Sequence, residues 1–154
     1  MGWIEDLRGE TVAIDTAPLI YYIEENPTYL PLVKPFFQSL DSGEFRAVTS
    51  TVTLLEVLTH PFRQKQSKLV QQYRDILLHS ENLATAPLLP EIAERAARLR
   101  AEHNVSTPDA IQLATALESK ATYFLTNDAG LPSVADLHIL ILDNLTAKDD
   151  SQED

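Results

Sequence analysis

Short apolar, β-branched runs alternate along the chain with stretches of helical periodicity. The runs are Thr11-Val12-Ala13-Ile14, Phe45-Arg46-Ala47-Val48-Thr49, Leu83-Ala84-Thr85, Tyr123-Phe124-Leu125-Thr126 and His138-Ile139-Leu140-Ile141-Leu142. Continuous apolar runs of this length suit strands covered on both faces, as in a parallel sheet. Between them the pattern predicts helices. One is capped at Thr16 and opened by Ala17-Pro18, with Ile20 and Ile23 inward. A second spans Pro31 to Leu40 and ends at Asp41-Ser42-Gly43, and a third spans Thr51 to Thr59 and is stopped by Pro61. A fourth carries Leu69, Tyr73, Ile76 and Leu77, and a fifth, Glu91 to His103, carries Ile92, Ala96 and Leu99 on one stripe. The sixth, opened by Thr107-Pro108, carries Ala110, Leu113, Ala114 and Leu117. Strands alternating with helices predict an α/β fold with a parallel sheet of about five strands and right-handed crossovers.

Composition supports that picture. With 154 residues, 44% hydrophobic and 23% charged, the chain is expected to form one domain over residues 1–147. Within it, residues 1–10 form an N-terminal extension whose Trp3, Ile4 and Leu7 can pack against the body. Residues 148–154, with four acids and one base, are expected to be an acidic, disordered tail. There is no Cys, which excludes a disulfide framework, a thiolate metal site and a cysteine nucleophile. No apolar run is long enough for a membrane span, and Met1 to Asp6 has no basic leader. A cytoplasmic location is the expectation.

Charge complicates a nucleic-acid role. There are 23 acidic and 12 basic residues, a net charge of −11 and a pI of about 4.7. Overall charge therefore cannot drive polyanion binding. The balance reverses locally, where Arg63, Lys65, Lys68 and Arg74 face Asp75 alone between residues 62 and 75.

In open parallel sheets, ligands sit beyond the carboxyl ends of the strands. Asp15 ends the first predicted strand and Asp128 follows the fourth. Glu56 lies about a turn into the helix after the second strand, and Asp109 in the first turn of the sixth helix. Taken singly, an Asp at a strand end or in a first helical turn is usually a cap. Glu56 is less ordinary, because it lies within the apolar stretch Val52 to Leu58. Clustered carboxylates raise one another's pKa and destabilise the fold unless a cation sits among them. An all-oxygen set selects hard ions, Mg²⁺ or Mn²⁺, which activate water for attack on a phosphodiester.

These positions carry a resemblance. The chain resembles the PIN-domain family of metal-dependent ribonucleases, particularly the VapC-type toxins of bacterial toxin–antitoxin pairs, over roughly Val12 to Leu145. Four signatures stand in the family's order: Ala13-Ile14-Asp15-Thr16, Ser50-Thr51-Val52-Thr53-Leu54-Leu55-Glu56-Val57, Thr107-Pro108-Asp109-Ala110-Ile111-Gln112-Leu113-Ala114, and Leu125-Thr126-Asn127-Asp128. The resemblance implies a PIN-like (Rossmann-like) α/β/α sandwich, often a homodimer, with Asp15, Glu56, Asp109 and Asp128 as catalytic metal ligands. It implies that Thr16, Thr53, Thr126 and Asn127 orient those carboxylates or meet the substrate phosphate. It also implies an RNA substrate, a 5′-phosphate and 3′-hydroxyl at the cut, and a cognate antitoxin covering the cleft. One departure is the Ala129-Gly130-Leu131 that follows Asp128, where many relatives carry a further acid and an aromatic.

Among the remaining residues, Arg63, Lys65 and Lys68 are candidate RNA contacts or simply a solvated helix face. His60, His79, His103 and His138 show no metal spacing. Of Tyr21 and Tyr22, one is expected to pack and the other to line the cleft, where an aromatic can stack on a base. No glycine-rich phosphate loop and no serine nucleophile elbow is present. The competing class is a non-catalytic PIN-fold module that binds protein or RNA.

Overall fold

A computed structural model describes residues 2–145. The expected acidic tail lies outside them. Among the described residues, five strands form one all-parallel sheet: β1 (Thr11–Ile14), β2 (Arg46–Ser50), β3 (Leu83–Ala86), β4 (Tyr123–Thr126) and β5 (His138–Ile141), in the order β3-β2-β1-β4-β5. The order reverses at β1, so the chain moves outward on one side through β2 and β3 and on the other through β4 and β5. The central strands are apolar without alternation because both faces are covered.

Among the described residues, six helices cover the sheet: α1 (Thr16–Ile23), α2 (Leu30–Asp41), α3 (Thr51–Arg63), α4 (Ser67–His79), α5 (Pro90–Glu102) and α6 (Thr107–Glu118). One core layer joins Val12, Ile14 and Leu125 to Phe36, Phe37, Tyr73 and Leu77. The other joins Ala13, Val48 and Phe124 to Ile92, Ala96, Leu99 and Leu113. Helix α6 is buried on nearly every side from Ala110 to Ala116, which is why its sequence is apolar beyond a single stripe. In α1, burial is greatest at Pro18 and Leu19, while Ile20 and Ile23 lie partly exposed against the core.

Two helix boundaries depart from the sequence expectation. Helix α1 is capped by Asp15, whose carboxylate accepts the Thr16 N–H at 2.8 Å, and not by Thr16. Helix α3 is not stopped by Pro61 and continues to Arg63. A proline so close to a C-terminus deletes only the bond from its own N–H, and here its ring is buried. The helix closes in a Schellman arrangement, with Lys65 N–H donating to Phe62 O (3.2 Å) and Gln66 N–H to Pro61 O (2.9 Å). Lys65 takes the left-handed conformation, with φ of 55°, that usually calls for glycine.

The N-terminal extension packs against the body. Trp3 stacks on Phe36 with ring centroids 5.9 Å apart, and Leu7 is fully buried in a short 3-10 turn. Leu7→Ala is therefore expected to cost about 2–5 kcal/mol in a urea melt. A loss under about 0.5 kcal/mol would show that residues 2–10 are not integral to the core.

Candidate functional site

Parallel register brings the ends of β1 and β4 side by side, with the Asp15 N–H donating to Leu125 O at 2.9 Å. Asp15 therefore sits at the carboxyl edge next to Thr126, whose hydroxyl donates to Asp15 Oδ2 at 2.7 Å. The same hydroxyl accepts the Asp128 N–H at 3.1 Å, so one threonine ties both acidic positions together. The Asp128 carboxylate folds back onto the Gly130 N–H at 2.8 Å. A Cβ at position 130 would lie 3.2 Å from that carboxylate, a tight fit that favours glycine there.

Asp109 is the third residue of α6. Its N–H donates to the hydroxyl of Ser106, the true N-cap, at 3.3 Å, an arrangement related to a capping box. Glu56, though set in an apolar stretch of sequence, is exposed on the outer face of α3. Its Oε1 accepts the Thr16 hydroxyl at 2.6 Å, which links α3 to the start of α1.

Beneath these acids runs a buried polar network in which Thr53 joins Thr49 and Gln112, two residues that the sequence left without a role. Gln112 is 2% exposed, and its Nε2 donates to Thr53 Oγ1 at 2.7 Å. The Thr53 and Thr49 hydroxyls are 2.8 Å apart, and Thr49 donates to Ile14 O at 2.7 Å. Thr53 is fully buried and so reaches the cleft only through Thr16, 3.3 Å away between hydroxyl oxygens. No buried side-chain polar atom among the described residues lacks a partner. The signal for Gln112 was visible as an amide set among Ala110, Ile111, Leu113 and Ala114.

Electrostatically the acids form one group. Burial pushes the Asp15 carboxyl above its ordinary pKa, against the pull of its bonds from Thr126 and Thr16, and Asp109 and Glu56 push it further. Asp109 is raised by burial first; its bond with Ser106 opposes this and the charge of Asp128 adds to it. The acids come together as a charge cluster, not as a ready-made coordination shell. Among the described residues, no three His, Asp or Glu side chains already stand in metal-holding positions. The Asp15, Glu56 and Asp128 carboxylates each accept a bond from a neighbouring N–H or hydroxyl instead.

The sequence profile of the PIN domain matches residues 12–137, most of the chain. This chain belongs to the PIN domain family. A sequence comparison with curated proteins gives no match. Solved structures similar to this PIN domain include VapBC2 from Rickettsia felis bound to a DNA fragment from its promoter, with a TM-score of 0.67 and 17% identity. That match covers 85% of this chain and 98% of the other. A toxin–antitoxin complex from Klebsiella pneumoniae matches with a TM-score of 0.60 and 25% identity, over 82% of this chain and 94% of that one. VapC20 of Mycobacterium tuberculosis, described as a Sarcin-Ricin loop cleaving toxin, matches at 0.61 and 16%, over 73% of this chain and 86% of that one.

The remaining candidate residues fall in different places. Asn127 is turned away from the carboxylates, toward Tyr21 and the backbone of Asp143. Tyr22 packs on Phe37 and Tyr21 stacks on Tyr29. Arg63, Lys65 and Lys68 are exposed around the α3–α4 turn. Arg63 lies two helical turns beyond Glu56, on the same face and about 10 Å along the axis. Asp143 and Tyr29 join the site's rim from segments that carried no sequence motif.

Because the folded protein disfavours an ionised Asp15, its carboxyl pKa lies above the unfolded value of about 3.9. The destabilisation is full above the folded pKa and is relieved as pH falls through it. Without divalent ions, Asp15→Asn and Asp109→Asn should therefore melt no lower than wild type at pH 7. Their advantage should shrink as pH falls through the raised carboxyl pKa of each acid. Variants that melt several degrees lower throughout would make both carboxylates structural caps.

Proposed function

We propose that this PIN domain is a Mg²⁺- or Mn²⁺-dependent endoribonuclease, the toxin component of a toxin–antitoxin pair. The observation that carries the reading is the convergence of Asp15, Glu56, Asp109 and Asp128 on one sheet edge from four separate elements. Burial there makes the two best-enclosed carboxylates costly to ionise. Acids that serve only as caps gain nothing from such mutual repulsion. An all-oxygen donor set with excess negative charge fits a hard divalent ion. Asp15 and Asp109, with Glu56 and Asp128, would hold it. When bound, such an ion supplies Lewis acidity that activates water and offsets charge on the phosphate.

The chain's own groups prepare that chemistry. Thr126 fixes Asp15 and the Asp128 backbone together, and Thr16, backed by Thr53 and Gln112, fixes Glu56. Such supporting bonds keep ligands from turning. Arg63, Lys65 and Lys68 supply the positive charge that the acidic surface lacks, where RNA phosphates can run. The fold shared with chains of toxin–antitoxin complexes supports a cognate antitoxin as partner. An antitoxin that covers this edge and a homodimeric working form complete the proposal. No helix among the described residues is long and apolar enough to cross a membrane. A cytoplasmic site of action goes with the RNA substrate.

Incubating the purified chain with mixed cellular RNA and Mn²⁺ should yield fragments with 5′-phosphate ends, and EDTA should abolish them. Asp109→Asn should lower the rate by about a hundredfold or more, since even groups behind a metal ligand cost about 10–100-fold. RNA that is bound but never cut, equally by wild type and variant, would favour a non-catalytic binding module.

A further inference from the structure

A closed circuit of four residues borders the carboxylates, and hydrolysis by the acids does not use it. Tyr21 of α1 and Tyr29, just before α2, stack with ring centroids 4.2 Å apart and planes 11° from parallel. The Tyr29 hydroxyl donates to Asp143 Oδ1 at 2.6 Å. The Asp143 N–H donates to Asn127 Oδ1 at 2.9 Å, and Asn127 Nδ2 donates to the Tyr21 hydroxyl at 3.3 Å. The circuit joins α1, the approach to α2, the loop after β4 and the turn after β5. It adjoins the acids because Asn127 stands between Thr126 and Asp128. Tyr21 lies six residues along α1 from Asp15, about 9 Å by helical rise.

We propose that Tyr21, Tyr29, Asn127 and Asp143 form a nucleobase subsite beside the carboxylates. In it, a base of single-stranded RNA stacks on the tyrosine pair and Asp143 selects guanine. The inference rests on the RNA reading above and names the part of the RNA that this rim takes. Half-buried rings backed by the core present a rigid aromatic platform, the surface on which unpaired bases stack without regard to sequence. Selection needs a polar group held in a fixed direction. Asp143 is exposed, yet Tyr29 fixes its carboxylate and Asn127 its backbone. An ionised carboxylate only accepts hydrogen bonds, so it repels a phosphate and takes N–H groups. Of the four RNA bases, guanine alone presents two adjacent donors, N1–H and N2–H, on its Watson–Crick edge. Each carboxylate oxygen accepts more than one bond, so Asp143 Oδ1 can keep Tyr29 and still receive the base. The carboxylate also raises the pKa of the Tyr29 hydroxyl, which keeps that hydroxyl a donor.

The test uses fluorescein-labelled uridine heptamers with G, A, C or U at the centre. Binding is read by fluorescence anisotropy with Ca²⁺ present, and cleavage separately with Mn²⁺. Wild type should bind the guanine heptamer about tenfold more tightly than the others, the scale of one bidentate contact. Asp143→Asn should abolish that preference and Tyr29→Phe should reduce it. Tyr21→Leu should weaken all four about equally. A circuit that only ties the fold together would lower the melting temperature of these variants and leave the base ratios unchanged, which overturns the inference. So does wild-type binding without base preference, or no binding to any heptamer. If Asp143→Asn fails to fold, Tyr29→Phe keeps the ring and carries the same comparison. A guanine preference without cleavage keeps the subsite and removes the ribonuclease reading. Cleavage without preference does the reverse.

Discussion

Asp15 places a negative charge where burial disfavours it, and where Asp109 and Glu56 increase the cost. Its position is not free to change. The residue ends β1, caps α1 and accepts the Thr126 hydroxyl, so backbone geometry, helix start and side-chain orientation all converge on one carboxylate. The parallel sheet enforces the rest. Once β1 and β4 pair in register, Asp128 must emerge beside Asp15. The crossovers that return the chain to the opposite edge place the starts of α3 and α6 nearby. A fold that crowds like charges at one edge of its sheet is under electrostatic tension, and a cation of matching hardness is the simplest relief.

The buried threonine–glutamine network supports this arrangement from below. Polar groups in a sheet core are costly unless paired, and among the described residues no buried side-chain polar atom lacks a partner. The chain Ile14 O, Thr49, Thr53 and Gln112 links β1, β2, α3 and α6 and ends at Thr16, which holds Glu56. The network therefore fixes the relative positions of the elements that carry the acids. A shift of α6 would disturb Glu56 as well as Asp109. The rim works differently. Tyr21, Tyr29, Asn127 and Asp143 are reached by solvent, and their bonds set directions instead of filling the core.

Most of the architecture was legible because strands buried on both faces leave continuous apolar runs, and all five were found to within a residue or so. Asp15, Asp109 and Asp128 were legible because each lies at or beside an element boundary. What escaped has physical reasons. The end of α3 was missed because Lys65, not glycine, takes the left-handed position and because Pro61 was read as a stop. The cap of α1 was assigned one residue late, since the adjacent Asp15-Thr16 pair offers two capping side chains. Glu56 was read as an oddity inside an apolar run, whereas helical geometry turns it outward. Asp143 and Tyr29 meet across 114 positions of sequence, and no local pattern signals such a pair.

Thermal melting with and without Mn²⁺ tests most directly whether the four carboxylates act together in holding a divalent ion. At a dissociation constant near ~0.1 mM, ~10 mM Mn²⁺ should stabilise the wild type by about 2.7 kcal/mol. For a domain of this size that is a rise in Tm of about 5–11 °C. The account predicts that Asp15→Asn and Asp109→Asn each lose most of that rise. A wild type indifferent to Mn²⁺, or variants that respond as fully as wild type, would contradict it.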